Sequence, residues 1–128
     1  MRFLSKHWYI ILIIILISVI TILAFNYSMP SNKITAKEAQ ALIQNGATIL
    51  DVRTYMEYKS GHIKHAKNIP YDEINETTIN LDKSETIIVY CRSGSRSSKA
   101  AETLENMGYK HVYDFGSIDN WKQSLVKD

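Results

Sequence analysis

Residues 86–108 read TIIVYCRSGSRSSKAAETLENMG, and this stretch decides the fold. Thr86 to Tyr90 is apolar after its first residue and rich in β-branched side chains. That is the pattern of a strand buried on both faces of a parallel sheet. Cys91 follows it directly, and Arg92 to Arg96 is a polar loop containing Gly94. Ser97 or Ser98 opens a helix whose apolar face is Ala100, Ala101, Leu104 and Met107, stopped by Gly108. Strand, polar loop and helix form one unit of an α/β sheet. Such sheets take their ligands at the carboxyl ends of the strands.

Working outward, the same alternation recurs. Thr35 is a helix cap with Glu38 three residues on, followed by Ala39, Leu42 and Ile43 at helical spacing and a stop at Gly46. Thr48 to Val52 is a short apolar strand, and Thr54 to Lys59 is one or two helical turns. Ala66 to Ile69 reads as a short strand and Ile74 to Asn80 as a weak helix. His111 to Phe115 is a further strand, and Ile118 to Val126 is a closing helix carrying Trp121 and Leu125. The expected fold class is α/β, a central, mostly parallel sheet with helices on both faces.

Composition bounds the rest. With 128 residues the chain has room for one ordinary domain. Its 45% apolar content excludes a disordered polyelectrolyte, and a net charge of +2 leaves no basic footprint for nucleic acid. One cysteine excludes an internal disulfide framework and any cysteine-rich zinc site. His62 and His65 have metal-like spacing, but no cysteine or carboxylate cluster joins them, so no metal and no cofactor is expected.

The apolar residues are unevenly spread. Residues 8–25 form an 18-residue run with 16 apolar members and no charge. As a helix it would extend roughly 27 Å, against a bilayer core of about 30 Å. Arg2 and Lys6 precede it, and Trp8, Tyr9 and Tyr27 sit where interfacial aromatics belong. A cleaved signal peptide has a shorter core and a small-x-small site, which Ala24 to Ser28 does not offer. A buried core helix is disfavoured because some 100 remaining residues could hardly surround it. The expectation is a tail over 1–7, a transmembrane helix over 8–25 in contact with lipid, a linker over 26–32 and a domain over 33–128. The basic tail favours a single-pass protein of the cell membrane, amino terminus inside and domain extracytoplasmic.

The chemistry centres on Cys91. A helix amino terminus presents unpaired N–H groups and partial positive charge, and Arg92 and Arg96 add two permanent charges. All three stabilise a thiolate over a thiol. Gly94 lets the loop curl so that successive N–H groups point inward as an anion-binding nest. Small Ser93, Ser95 and Ser97 keep it open and offer hydroxyl donors. A buried structural cysteine would not need six following residues with two arginines, a glycine and no apolar member.

These residues resemble the rhodanese family. DVRTYMEYKSGHI, residues 51–63, is similar to its Asp-Val-Arg…Glu-Tyr…Gly-His-Ile segment, continuing through Ala66, Asn68, Ile69 and Pro70. Residues 87–109 resemble its active-site loop and following helix, and VYDFGSIDNW, residues 112–121, its closing Gly-Gly…Trp segment. Lys64 and His65 stand where the family often has Pro-Gly, and Ser117 where a second glycine is common.

The resemblance implies a sulfurtransferase, which the apolar run over 8–25 would anchor in the membrane. Thiolate Cys91 would take the outer sulfur of an anionic donor such as thiosulfate and pass it to a thiol or cyanide acceptor. Arg92 and Arg96 would orient the donor, Asp51 would support the loop, and Arg53 would join an ion-pair network, with Glu57 as a partner. A purely structural Asp51–Arg53 pair reads as well. Three alternatives stay open: a persulfide carrier or sensor, a protein-interaction module, and a cysteine phosphatase or arsenate reductase. Cysteine phosphatases place five residues between cysteine and arginine, whereas Cys91 and Arg96 have four. The smaller ring suits a single sulfur.

Overall fold

The computed structural model describes residues 2–27 and 32–128. They fall into two compact units, one within residues 1–31 and one over Asn32–Asp128. The first is a single helix, α1 (Arg2–Tyr27), longer at both ends than residues 8–25. Side chains from His7 to Ala24 are all exposed, including twelve isoleucines, leucines and valines. Ser18 and Thr21 donate their hydroxyls to the carbonyls of Ile15 and Ser18, so neither leaves a free polar group on the apolar surface. The helix over His7–Ala24 is long and apolar enough to cross a membrane. Most of the expected linker, residues 28–31, lies outside the described residues.

The second unit is an α/β fold around a four-stranded sheet of β1 (Thr48–Asp51), β2 (Lys67–Asn68), β3 (Thr86–Cys91) and β4 (His111–Ser117). The order is β2-β1-β3-β4 and every pairing is parallel. Helix α2 (Ala36–Gln44) leads into β1, α3 (Tyr55–Ser60) carries the crossover from β1 to β2, and α4 (Ser95–Asn106) carries that from β3 to β4. Strand periodicity sorts the core into two layers. Leu50, Ile87, Val89 and Cys91 face Ala100, Ala101 and Leu104 of α4. Ile49, Ile88 and Tyr90 face Ala39 of α2, with Ala66, Phe115 and Ile118 completing that layer. β3 is therefore buried on both faces, as its apolar run requires.

Both short helices begin on reciprocal caps. Thr35 accepts the N–H of Glu38 while Glu38 accepts that of Thr35, and Thr54 and Glu57 repeat the arrangement. The second box has the same Thr-x-x-Glu signature as the first and was readable from it.

Two expected helices do not form. Residues 74–80 are a turn region after a short 3-10 segment at Tyr71–Glu73. The Asn75 side chain accepts the N–H groups of Thr77 and Thr78, and Thr78 Oγ1 donates to Glu73 O. Asn and Thr side chains compete for backbone groups in this way and defeat a weak helical pattern. Residues 118–126 hold only a 3-10 turn at Ile118–Asn120, followed by an extended strap. Val126 pairs with His62 through two backbone hydrogen bonds of 2.9 Å, which a helix there would forbid. At the Lys64-His65 turn, exposed His65 takes a left-handed φ of 68°. The backbone keeps a glycine-type turn without the glycine.

Candidate active site

Cys91 is the last residue of β3, fully buried beneath the loop that follows it. Only Arg92, Ser93 and Gly94 separate it from α4, which begins at Ser95, two residues earlier than the sequence suggests. Gly94 makes the tight return. Its φ of 106° belongs to glycine, and a Cβ there would sit 3.9 Å from the Gly116 backbone. In this conformation the Gly94 N–H donates to Cys91 Sγ at 3.0 Å. The Gly94 carbonyl accepts the Ser98 N–H and the Ser97 hydroxyl, fixing the first turn of α4.

The serines divide. Ser93 and Ser95 are exposed at the rim, whereas Ser97 is buried with its hydroxyl committed to Gly94. Ser97 shapes the loop rather than offering a donor to a ligand. A register shift between β3 and β4 pairs Tyr90 with Gly116 and Cys91 with Ser117. This bulge aims Ser117, whose hydroxyl donates to the Arg92 carbonyl at 2.6 Å. The Asp114 carboxylate accepts the N–H of Gly116 and keeps the bulge satisfied.

The two loop arginines differ. Arg92 is exposed. Arg96 is three-quarters buried and donates through both terminal nitrogens to Glu57, at 2.7 and 2.9 Å. Its bonds to Glu57 raise the Arg96 pKa above its ordinary value. The reciprocal bonds from Arg96 hold the Glu57 carboxyl down to about 2. Glu57, expected beside Arg53, thus closes on the cysteine loop instead.

Asp51 and Arg53 are buried together on the opposite face of the sheet from Cys91's side chain. Arg53 donates Nε and Nη2 to the Asp51 carboxylate, with a shortest contact of 2.6 Å, and Nη2 also reaches Gly61 O. Burial opposes the charged Arg53, but the bonds and charge of Asp51 outweigh it and raise the pKa. Tyr90 donates its hydroxyl to Asp51 at 2.7 Å and accepts the Ile63 N–H at 3.1 Å. Burial, then the Asp51 charge, push its pKa up, so the phenol stays protonated. This network fixes the residue next to Cys91 but makes no hydrogen bond to residues 91–97 among the described contacts. His62 is buried and stacked 3.7 Å over Tyr58, with Nδ1 at 3.0 Å from Tyr58 O, which is a packing role.

Two cavities flank the loop. One of about 300 Å³ is lined by Tyr71, Ser95, Arg96, Ser98, Lys99 and Glu102. Another of about 360 Å³ takes in Lys33, Ser93, Gly94, Ser117 and Asn120. A larger cavity of about 440 Å³ lies against α2 and the carboxyl-terminal strap, with no loop residue in its wall. Of the three, the first two share walls with the loop that follows Cys91.

Residues 35–124 match the model of the rhodanese-like domain. The chain is 39% identical over 80 residues to the thiosulfate sulfurtransferase PspE of Escherichia coli (strain K12), covering 61% of this chain and 77% of that protein. A solved rhodanese with anions from E. coli is 35% identical and superposes with a TM-score of 0.59, over 65% of this chain and all of the other. A rhodanese-like domain protein of Staphylococcus aureus is 32% identical, with a TM-score of 0.66 over 75% of this chain and 97% of its own.

Proposed function

This chain belongs to the rhodanese-like domain family, and from that membership we propose a membrane-anchored sulfurtransferase that relays sulfur through Cys91. The sulfurtransferase activity of its relatives supports the enzyme class. The observation that carries the assignment to Cys91 is the Gly94 N–H aimed at Sγ from the head of α4. A donor N–H at this position stabilises charge on sulfur before and after the reaction.

In the first step the Cys91 thiolate attacks the outer sulfur of an anionic donor such as thiosulfate. The donor S–S bond breaks and sulfite leaves with the electron pair. Cys91 then carries a persulfide whose terminal sulfur lies in the small loop of residues 92–96. A thiol or cyanide attacks that sulfur and releases the thiolate. Since Cys91 is buried, the donor enters from the rim where Arg92, Ser93 and Ser95 are exposed. Arg92 is placed there to orient the donor's anionic end by hydrogen bonding. Asp51 and Arg53 act by fixing Tyr90. No cofactor is needed for this exchange.

Residues 8–25 anchor the chain in the lipid bilayer, with the amino terminus inside and the domain over 33–128 extracytoplasmic. Arg2 and Lys6 on the leading side support this orientation. Turnover tests the activity: thiosulfate and cyanide should yield thiocyanate with wild type and none with Cys91→Ser. Hydrolysis of an aryl phosphate or reduction of arsenate with no thiocyanate would reject the sulfurtransferase in favour of the phosphatase or reductase reading.

A further inference from the structure

We propose that Glu57 sets the donor selectivity of this site by cancelling the charge of Arg96, so that the cradle gives little advantage to doubly charged sulfur donors over singly charged ones. The inference rests on the sulfurtransferase reading above and assigns a role to a residue outside the cysteine loop. Glu57 Oε2 accepts the N–H of Thr54 at 2.9 Å, the Thr54 hydroxyl at 3.0 Å and Arg96 Nη1 at 2.7 Å, while Oε1 accepts Arg96 Nη2 at 2.9 Å. Capping alone does not account for this reach. Glu38 caps α2 through the same Thr-x-x-Glu box, and its described hydrogen bonds go to Thr35 alone. The bidentate fork across 39 residues is a separate feature.

Its consequence is a charge count. In the reacting form of the site, the Cys91 thiolate and Glu57 carry two negative charges, and Arg92 and Arg96 carry two positive ones. Glu57 keeps its charge until pH falls towards about 2, so its pairing with Arg96 persists at neutral pH. The cavity beside Arg96 adds one more of each sign in Lys99 and Glu102. Removing the Glu57 charge leaves the cradle with one net positive charge and frees the Arg96 fork. A dianion gains more from that change than a monoanion. With thiosulfate, attack by Cys91 expels sulfite. With an organic persulfide, attack on the terminal sulfur breaks its S–S bond and expels the organic thiolate with the electron pair. Both leave Cys91 as a persulfide, and neither needs an oxidant or reductant.

The test compares kcat/KM for thiosulfate and for 2-hydroxyethyl persulfide, a singly charged donor, with cyanide as acceptor in the full chain. Glu57→Gln should raise the thiosulfate-to-persulfide ratio by roughly five- to tenfold, the effect of one unit charge on a dianion across several ångströms of hydrated protein. Glu57→Asp, which keeps the charge, should leave the ratio within roughly twofold of wild type, well inside that single-charge effect. An unchanged ratio in Glu57→Gln overturns the proposal, as does an equal change in both variants. If neither variant folds, wild type decides by its ionic-strength dependence. A thiosulfate kcat/KM nearly flat with salt supports a balanced cradle, and a steep fall contradicts it. Failure of the sulfurtransferase reading itself would appear separately, as no thiocyanate from wild type with either donor, and failure of the Cys91 assignment as undiminished turnover by Cys91→Ser.

Discussion

At the residue scale the site depends on a few polar atoms placed where burial makes them costly to lose. Tyr90 accepts from Ile63 and donates to Asp51 through one hydroxyl. Tyr90→Phe leaves the Ile63 N–H and one Asp51 lone pair unpaired, so we expect a loss of about 1–3 kcal/mol in a urea unfolding curve. His65 makes the opposite case. Its left-handed backbone is strained, and the side chain is exposed. His65→Gly should stabilise the domain by about 0.5–1 kcal/mol after the entropy of glycine in the unfolded chain is deducted. Cys91, Arg92, Gly94 and Arg96 were legible in the sequence because they lie within six positions and their roles follow from a local turn. The Glu57–Arg96 fork was not, because the two lie 39 residues apart and only the packing of α3 beside the loop brings them together. Nor did the sequence mark Ser117 as a partner of Arg92, which requires the bulge in β4.

At the element scale α2, α3 and the uncapped α4 were readable, and two weaker patterns without caps were misread. Capping boxes place α2 and α3, and alternation places β1 and β3, because each is a local signal backed by burial. Residues 74–80 and 118–126 had a hydrophobic pattern without caps. Asn75 in one and pairing to His62 in the other took the backbone elsewhere. The cap of α3 also supports the active-site loop through Glu57. Thr54→Ala should cost about 1 kcal/mol in stability. Acid titration gives a further check. Glu57 has a folded pKa of about 2, below its ordinary 4.5. Its contribution is therefore fully present above about pH 4.5 and is lost as pH falls towards about 2. The urea midpoints of wild type and Glu57→Gln should converge over that interval. A gap that stays constant with pH would show that the ion pair contributes nothing.

At the scale of the whole molecule two units of opposite character share one chain. The domain over residues 33–128 holds 13 basic and 13 acidic side chains counted from residue 26, so the +2 charge belongs to Arg2 and Lys6 beside the apolar helix. As an integral anchor, α1 should keep the chain in the membrane pellet after an alkaline carbonate wash, and release into the supernatant would show peripheral association. Protease added to intact cells should remove the domain. Survival until lysis would reverse the orientation. The central claim is that the chain carries sulfur covalently on its one cysteine, and the intact mass of the protein tests it most directly. After incubation with thiosulfate, wild type should gain the mass of one sulfur atom and lose it on addition of cyanide, while Cys91→Ser gains nothing. A wild-type mass that does not change, or an equal gain by Cys91→Ser, would contradict the account.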